Sequence, residues 1–177
     1  LKFPNLQQYK ILSIDTESTG LQWYKDDKIY GVSMAAPDGN SWYWDIRKTP
    51  EVVKWLRDVI PELNLVAHNM KHDMHFLRQI QVHPDPNKIH DTVIRAALID
   101  EHELSYGLDE LGWKYVKERK TNEIWGELAG LFGGEPTKKA QIKNLARAPL
   151  SIADKYGRQD AVLCLKLWRY QESILQS

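Results

Sequence analysis

Two apolar runs, Ile29 to Ala36 and Ser41 to Ile46, are joined by Pro37-Asp38-Gly39-Asn40. A turn of that composition between strand-like runs is a hairpin signal, because Gly and Asn accept the backbone conformations a tight reversal needs. A third apolar run, Tyr9 to Asp15, precedes the hairpin and is broken by Thr19-Gly20. Three strands in such close succession are expected to pair antiparallel. The pattern then changes. Thr49 as cap and Pro50 at the first position open a helix whose apolar face is Val52, Val53, Leu56, Val59 and Ile60. Leu63 to Ala67 reads as a fourth strand, followed by a helix reaching Ile80. After the loop His83-Pro84-Asp85-Pro86-Asn87 comes a brief fifth strand, Ile89-His90-Asp91, with Asp91 capping a helix from Thr92 to Ile99. Three antiparallel strands and then β-α-β-α give an α/β fold with a mixed sheet, antiparallel first and parallel later, flanked by helices.

The remainder reads as helical: Leu108 to Val116, Asn122 to Leu131, a helix capped by Thr137 and running through Ala146, and a long final helix to about Leu175. The loop Phe132-Gly133-Gly134-Glu135-Pro136 separates two of these, and Ser151-Ile152-Ala153-Asp154 resembles a capping box with Asp in place of Glu. No repeat or linker interrupts the chain, so residues 1–177 read as one domain. No apolar stretch approaches the roughly 18 residues of a membrane span, and the N-terminus has no signal segment. A soluble, non-secreted protein of a cytoplasmic or other intracellular compartment is expected, which the single Cys164 suits. The chain opens on Leu1 rather than Met, which reads as a piece of something longer.

Net charge is +0, from 24 basic and 24 acidic residues. That argues against a protein held on nucleic acid by bulk charge, since phosphate neutralisation supplies most sequence-independent affinity. Any such binding must be local, or be supplemented by an attached domain.

The acids carry the chemistry. Asp15 and Glu17, in Ser13-Ile14-Asp15-Thr16-Glu17, are two apart, so a strand places both on one face. Asp73, in His68-Asn69-Met70-Lys71-His72-Asp73, falls in the first turn of the helix that follows the fourth strand, with Asn69 one turn earlier. Tyr156 and Asp160 are spaced i, i+4 and share one face of the last helix. Taken singly, each has an ordinary explanation: a solvated strand end, an acid favoured by a helix dipole, a solvent-facing pair. Together they come from elements that a single sheet brings to one edge. At an effective dielectric of about 20, each like-charged pair at ~4 Å costs roughly 4 kcal/mol. Four carboxylates in one cleft therefore call for cations or for protons. Their oxygens favour Mg²⁺ or Mn²⁺ over softer metals.

With these motifs in this order, the chain resembles the DEDD superfamily of 3′→5′ exonucleases, in the subgroup with tyrosine in its third motif. The resemblance spans Tyr9 to Tyr170. It is strongest to the proofreading exonuclease domain of family A DNA polymerases, through Leu21 four residues after Glu17, the Asp91-Thr92 helix start with Ala96-Ala97-Leu98, the segment Ser105-Tyr106-Gly107-Leu108-Asp109-Glu110-Leu111, and the helical insert before the third motif. The resemblance implies a ribonuclease-H-like fold and two-metal hydrolysis with two Mg²⁺ per site, Mn²⁺ substituting. Asp15, Glu17 and Asp160 are then the ligands of the metal that carries the attacking water. Asp15 bridges to a second metal that Asp73 supports, and Tyr156 orients the water. Thr16, Leu21 and Asn69 are implied substrate contacts, with Leu21 as a wedge between the last two bases. The implied substrate is the 3′ end of single-stranded or frayed DNA. The implied context is a monomer with an attached polymerase domain and a viral or phage-like source.

Three other readings stand beside this one. His68, His72, Asp73 and His75 offer a zinc-hydrolase spacing, although no Glu follows the first His in the H-E-x-x-H manner. The same fold also serves ribonuclease D-like or oligoribonuclease-like trimming of RNA, where treatment of the 2′-OH decides. A non-enzymatic module derived from an exonuclease is the third. His68, His72 and Arg158 have no role assigned by the motifs.

Overall fold

The computed structural model describes residues 2–176. Its sheet has five strands, β1 (Leu12–Ser18), β2 (Ile29–Ala35), β3 (Ser41–Asp45), β4 (Leu65–Ala67) and β5 (Ile89–Asp91). They lie in the order β3-β2-β1-β4-β5. β1, β2 and β3 pair antiparallel, whereas β4 joins β1, and β5 joins β4, in parallel. This is the mixed sheet expected from the sequence. The helices are α1 (Glu51–Val59), α2 (Met70–Gln79), α3 (Thr92–Ile99), α4 (Leu108–Leu111), α5 (Glu123–Phe132), α6 (Lys138–Leu145) and α7 (Leu150–Leu175).

Strand alternation sorts the two faces. Leu12 and Ile14 of β1, with Val32 and Met34 of β2, share a buried cluster with Leu56 of α1 and Phe76 of α2. On the opposite face, Ala35 packs with Ala161 and Leu165 of α7, and Ser13 Oγ donates to the Ala161 carbonyl at 2.6 Å. Asp15 and Glu17 have the same parity as Ser13, so they face α7; Thr16, of opposite parity, faces α2.

Four expectations need correction. β1 begins at Leu12 rather than Tyr9 and continues past Asp15 to Ser18, because pairing with β2 carries the strand through its acids. Thr49 does not cap α1 with its side chain; its carbonyl accepts from Val52 N–H instead. Ser151 forms no capping box, since α7 already starts at Leu150 behind Pro149, and Asp154 pairs with Arg158. The segment Leu108 to Val116 is α-helical only to Leu111, then winds as a π-helix through Gly112–Val116. Asp91 and Thr137 do cap, accepting from Val93 N–H and Ala140 N–H respectively.

Candidate active site

The site is built where β1 outruns its parallel neighbour. β4 pairs only with Leu12 and Ser13, so the β1 edge beyond them is open. Thr16 uses that opening: its N–H donates to Asp73 Oδ1 at 3.0 Å and its hydroxyl donates to the same oxygen at 2.6 Å. Asp73 is thereby fixed against the strand residue that separates Asp15 from Glu17. Asp91 sets the angle of α2 by accepting from the N–H groups of Asn69 and Met70 at 3.1 and 2.8 Å, as well as from Val93 N–H at the start of α3. One carboxylate thus caps two helices, satisfying donors that would otherwise be orphaned. Asn69 itself sits in left-handed backbone at φ 66°, a conformation that Asn tolerates better than most residues, and it is exposed.

From the other face, α7 delivers Tyr156 and Asp160, both buried. Ligand oxygens of Asp15, Glu17 and Asp160 all lie within 4.8 Å of one another, and among the described residues this is the group of His, Cys, Asp and Glu able to share a metal ion. Glu17 Oε1 and Asp160 Oδ1 are buried with no hydrogen-bond partner among the described residues. Buried carboxylate oxygens left without donors are costly unless a cation or a proton meets them.

The electrostatics follow from that crowding. Burial pushes the Asp15 and Glu17 carboxyls well above the usual range, and the Asp160 charge beside them pushes further in the same direction. Asp160 is also raised, by burial first, with the Lys120 ammonium pulling back. Burial lifts Asp73 to about 7 although its hydrogen bonds from Thr16 favour the charged form. The Tyr156 phenol is driven far above its ordinary value, by burial and then by Asp160, so it stays protonated. Its ring packs edge-on to Trp125 of α5, at 5.5 Å between centroids.

Lys120 was not foreseen in the sequence. Its Nζ lies 2.7 Å from Asp160 Oδ2. It belongs to a charged run, Lys117-Glu118-Arg119-Lys120, with no periodicity to mark one member as buried. Leu21 stands 77% exposed. Its loop is tied to α2 by Trp23 stacked on His75, at 3.6 Å between centroids, and by Gln79, which accepts from Ile29 N–H and donates to the Asp27 carbonyl.

The histidines are engaged separately. His68 bonds Thr92 Oγ1 and the Tyr106 carbonyl, each at 2.8 Å, and His72 packs edge-on to Phe76. With both His68 nitrogens occupied and His75 under Trp23, the zinc arrangement is not assembled. Arg158 is likewise committed, to Asp154 and to the Ser41 carbonyl, so it ties α7 to β3.

Residues 3–176 match the family model of the 3′-5′ exonuclease of A-type DNA polymerases. The chain is 50% identical over 171 residues to DNA polymerase DpoZ of Salmonella phage PMBT28, covering 96% of this chain and 27% of the relative. It is 45% identical over 177 residues to DpoZ of Acinetobacter phage SH-Ab 15497, covering 99% of this chain and 28% of the relative. The chain thus spans little more than a quarter of either relative's length. Among solved structures, Brucella melitensis NrnC superposes with a TM-score of 0.72 at 20% identity, over 98% of this chain and 78% of that one. The same protein with bound Mg²⁺ gives 0.66 at 21%, with the same coverage. Trypanosoma brucei RNase D in complex with RNA U12 gives 0.67 at 16%, over 94% and 56%. At these identities the likenesses show a shared fold.

Proposed function

Because the chain belongs to the 3′-5′ exonuclease family of A-type DNA polymerases, we propose that its acid cluster hydrolyses the terminal phosphodiester of a DNA 3′ end with two divalent cations, Mg²⁺ or Mn²⁺. The observation that carries this is the convergence of Asp15, Glu17 and Asp160 within 4.8 Å, with Glu17 Oε1 and Asp160 Oδ1 buried and unpartnered. An all-oxygen donor set fits a hard divalent ion. In this reading Asp15, Glu17 and Asp160 would hold one cation, and Asp15 with Asp73 would serve the second. Divalent cations held there would neutralise the acids and would supply an acidified water and charge stabilisation for the leaving 3′ oxygen.

The chain's own groups do the positioning. Tyr156, kept protonated by its burial, orients the water as a hydrogen-bonding phenol rather than as a base. Leu21, exposed three residues after the end of β1, is the wedge that a frayed end would meet, and unpairing costs less at a mismatch. Asn69, exposed at the start of α2, contacts the terminal nucleotide. Thr16 fixes Asp73 with its hydroxyl and contributes to the substrate through what remains of its surface. DNA is favoured over RNA because the relatives at 50% and 45% identity are DNA polymerases. The context that follows is proofreading beside an attached polymerase domain, in a monomeric chain.

The test uses 5′-labelled single-stranded DNA and the matching RNA, each with Mg²⁺ or with chelator. A ladder shortening from the 3′ end of the DNA, abolished by chelator, is expected. Faster trimming of the RNA would transfer the assignment to an RNA 3′ exonuclease. Hydrolysis indifferent to chelator would end the metal reading.

A further inference from the structure

One buried cation beside the acids has no part in the reaction as described. The Lys120 side chain is 11% exposed, with Nζ 2.7 Å from Asp160 Oδ2. The backbone N–H of Lys120 donates to Asp109 Oδ1 at 3.1 Å, which pins the segment before α5 against α4. Its Nζ also stands 5.5 Å from the centroid of the Tyr156 ring. A lysine ammonium normally keeps its head in water and is buried only against a partner.

How the partner is engaged is informative. Lys120 takes one oxygen of Asp160, while the other, Oδ1, stays buried and unpartnered, as does Glu17 Oε1. A lysine acting as a plug for the cation place would be expected to consume these free oxygens. Instead it leaves them.

We propose that Lys120 is a positioning residue for the hydrolysis, fixing the rotation of the Asp160 carboxylate so that Oδ1 is presented to a divalent cation and bracing the adjacent Tyr156 ring. This is the arrangement in which a partner outside the ligand set orients a ligand, and loss of such partners typically costs about 10- to 100-fold in metal affinity or activity. The inference rests on the two-cation reading above.

The experiment takes the full chain as parent and compares Lys120→Met, which keeps the aliphatic stem, with Lys120→Arg, which keeps charge and donors. Mn²⁺ affinity is measured by calorimetry without nucleic acid. The kcat and KM are measured on a single-stranded DNA oligonucleotide with Mg²⁺, and folding is followed by circular dichroism. In Lys120→Met, Mn²⁺ binding and kcat are each expected to fall about 10-fold or more, with KM changed by less than about 3-fold. Lys120→Arg recovers most of both losses. If the Met variant does not fold, Lys120→Gln is measured in its place; if that also fails, Lys120→Arg decides by keeping or losing Mn²⁺ affinity.

Four results would overturn the inference: parental Mn²⁺ affinity and kcat without the ammonium, tighter Mn²⁺ binding without it, a loss confined to KM, or an Arg variant no better than Met. Tighter binding would make Lys120 a competitor of the metal, and a KM-only loss would make it a nucleic-acid contact. A parent showing no chelator-sensitive hydrolysis would instead sink the two-cation reading, so the two failures are distinguishable.

Discussion

Asp15 is the acid on which the site converges, facing the charges of Asp160, Glu17 and Asp73 from within the sheet. Its loss removes a ligand common to both proposed cations while relieving repulsion. Asp15→Asn is therefore expected to lower hydrolysis by about 100-fold or more without unfolding the chain. Near-parental rates with Mg²⁺ in that variant would remove Asp15 from the chemistry. Tyr156→Phe differs in kind, because the ring and its contact with Trp125 remain and only the hydroxyl goes. A loss of roughly 10-fold in kcat is expected, smaller than for an acid. A loss equal to that of Asp15→Asn would make the phenol more than a positioner of water.

Between elements, the site depends on how closely α7 approaches the sheet. A Cβ at Gly157 would meet Tyr43 Cδ2 at 2.7 Å, and one at Gly31 would meet the Tyr43 hydroxyl at 2.5 Å. The Tyr43 ring is thus lodged between two residues without side chains, one on β2 and one on α7. Gly157 lies between Tyr156 and Asp160, so a helix displaced there carries both active-site groups with it. Gly157→Ala should cost about 1–3 kcal/mol by overpacking, and should lower kcat because the acids no longer converge. Urea unfolding and steady-state rates measured on the same preparation check both. Unchanged stability would show that Tyr43 yields easily. This dependence was only half legible. The i, i+4 spacing of Tyr156 and Asp160 put them on one face, but no periodicity said that Gly157 marks the contact with β2 and β3. Asp15 and Glu17 were legible through their two-residue spacing. The true extent of β1 was not, because pairing with β2 carries the strand past Asp15, where the apolar run ends, through Glu17 to Ser18. Lys120 was invisible because its partner, 40 residues away, meets it only through the tertiary fold.

Across the whole molecule, the acid cluster makes stability depend on pH and on metal together. Burial raises the carboxyl pKa values of Asp15, Glu17, Asp73 and Asp160 in the folded state. A raised carboxyl favours folding below its unfolded value. That contribution disappears as pH climbs from about 4 through the folded value, which for Asp73 is about 7. Buried His68 acts in the opposite sense: its pKa is lowered by desolvation, so it weakens folding as pH falls below 6.5. Comparing the parent with Asp15→Asn at each pH cancels the histidine contribution. The metal-free variant should gain little at pH 4, and should melt higher than the parent by on the order of 5 °C at pH 8, given that 1 kcal/mol moves Tm by about 2–4 °C in chains of this size. Added Mg²⁺ should reverse the order, because binding to the folded state alone stabilises the parent, while the variant has lost a ligand. Parallel melting curves for parent and variant across this range, with and without Mg²⁺, would mean that the carboxyls do not share a repulsive pocket. Net charge enters here as well. The formal net charge is +0 only near pH 7 and turns positive towards pH 4, but parent and variant share that change, so the pH dependence of their difference reports on the pocket.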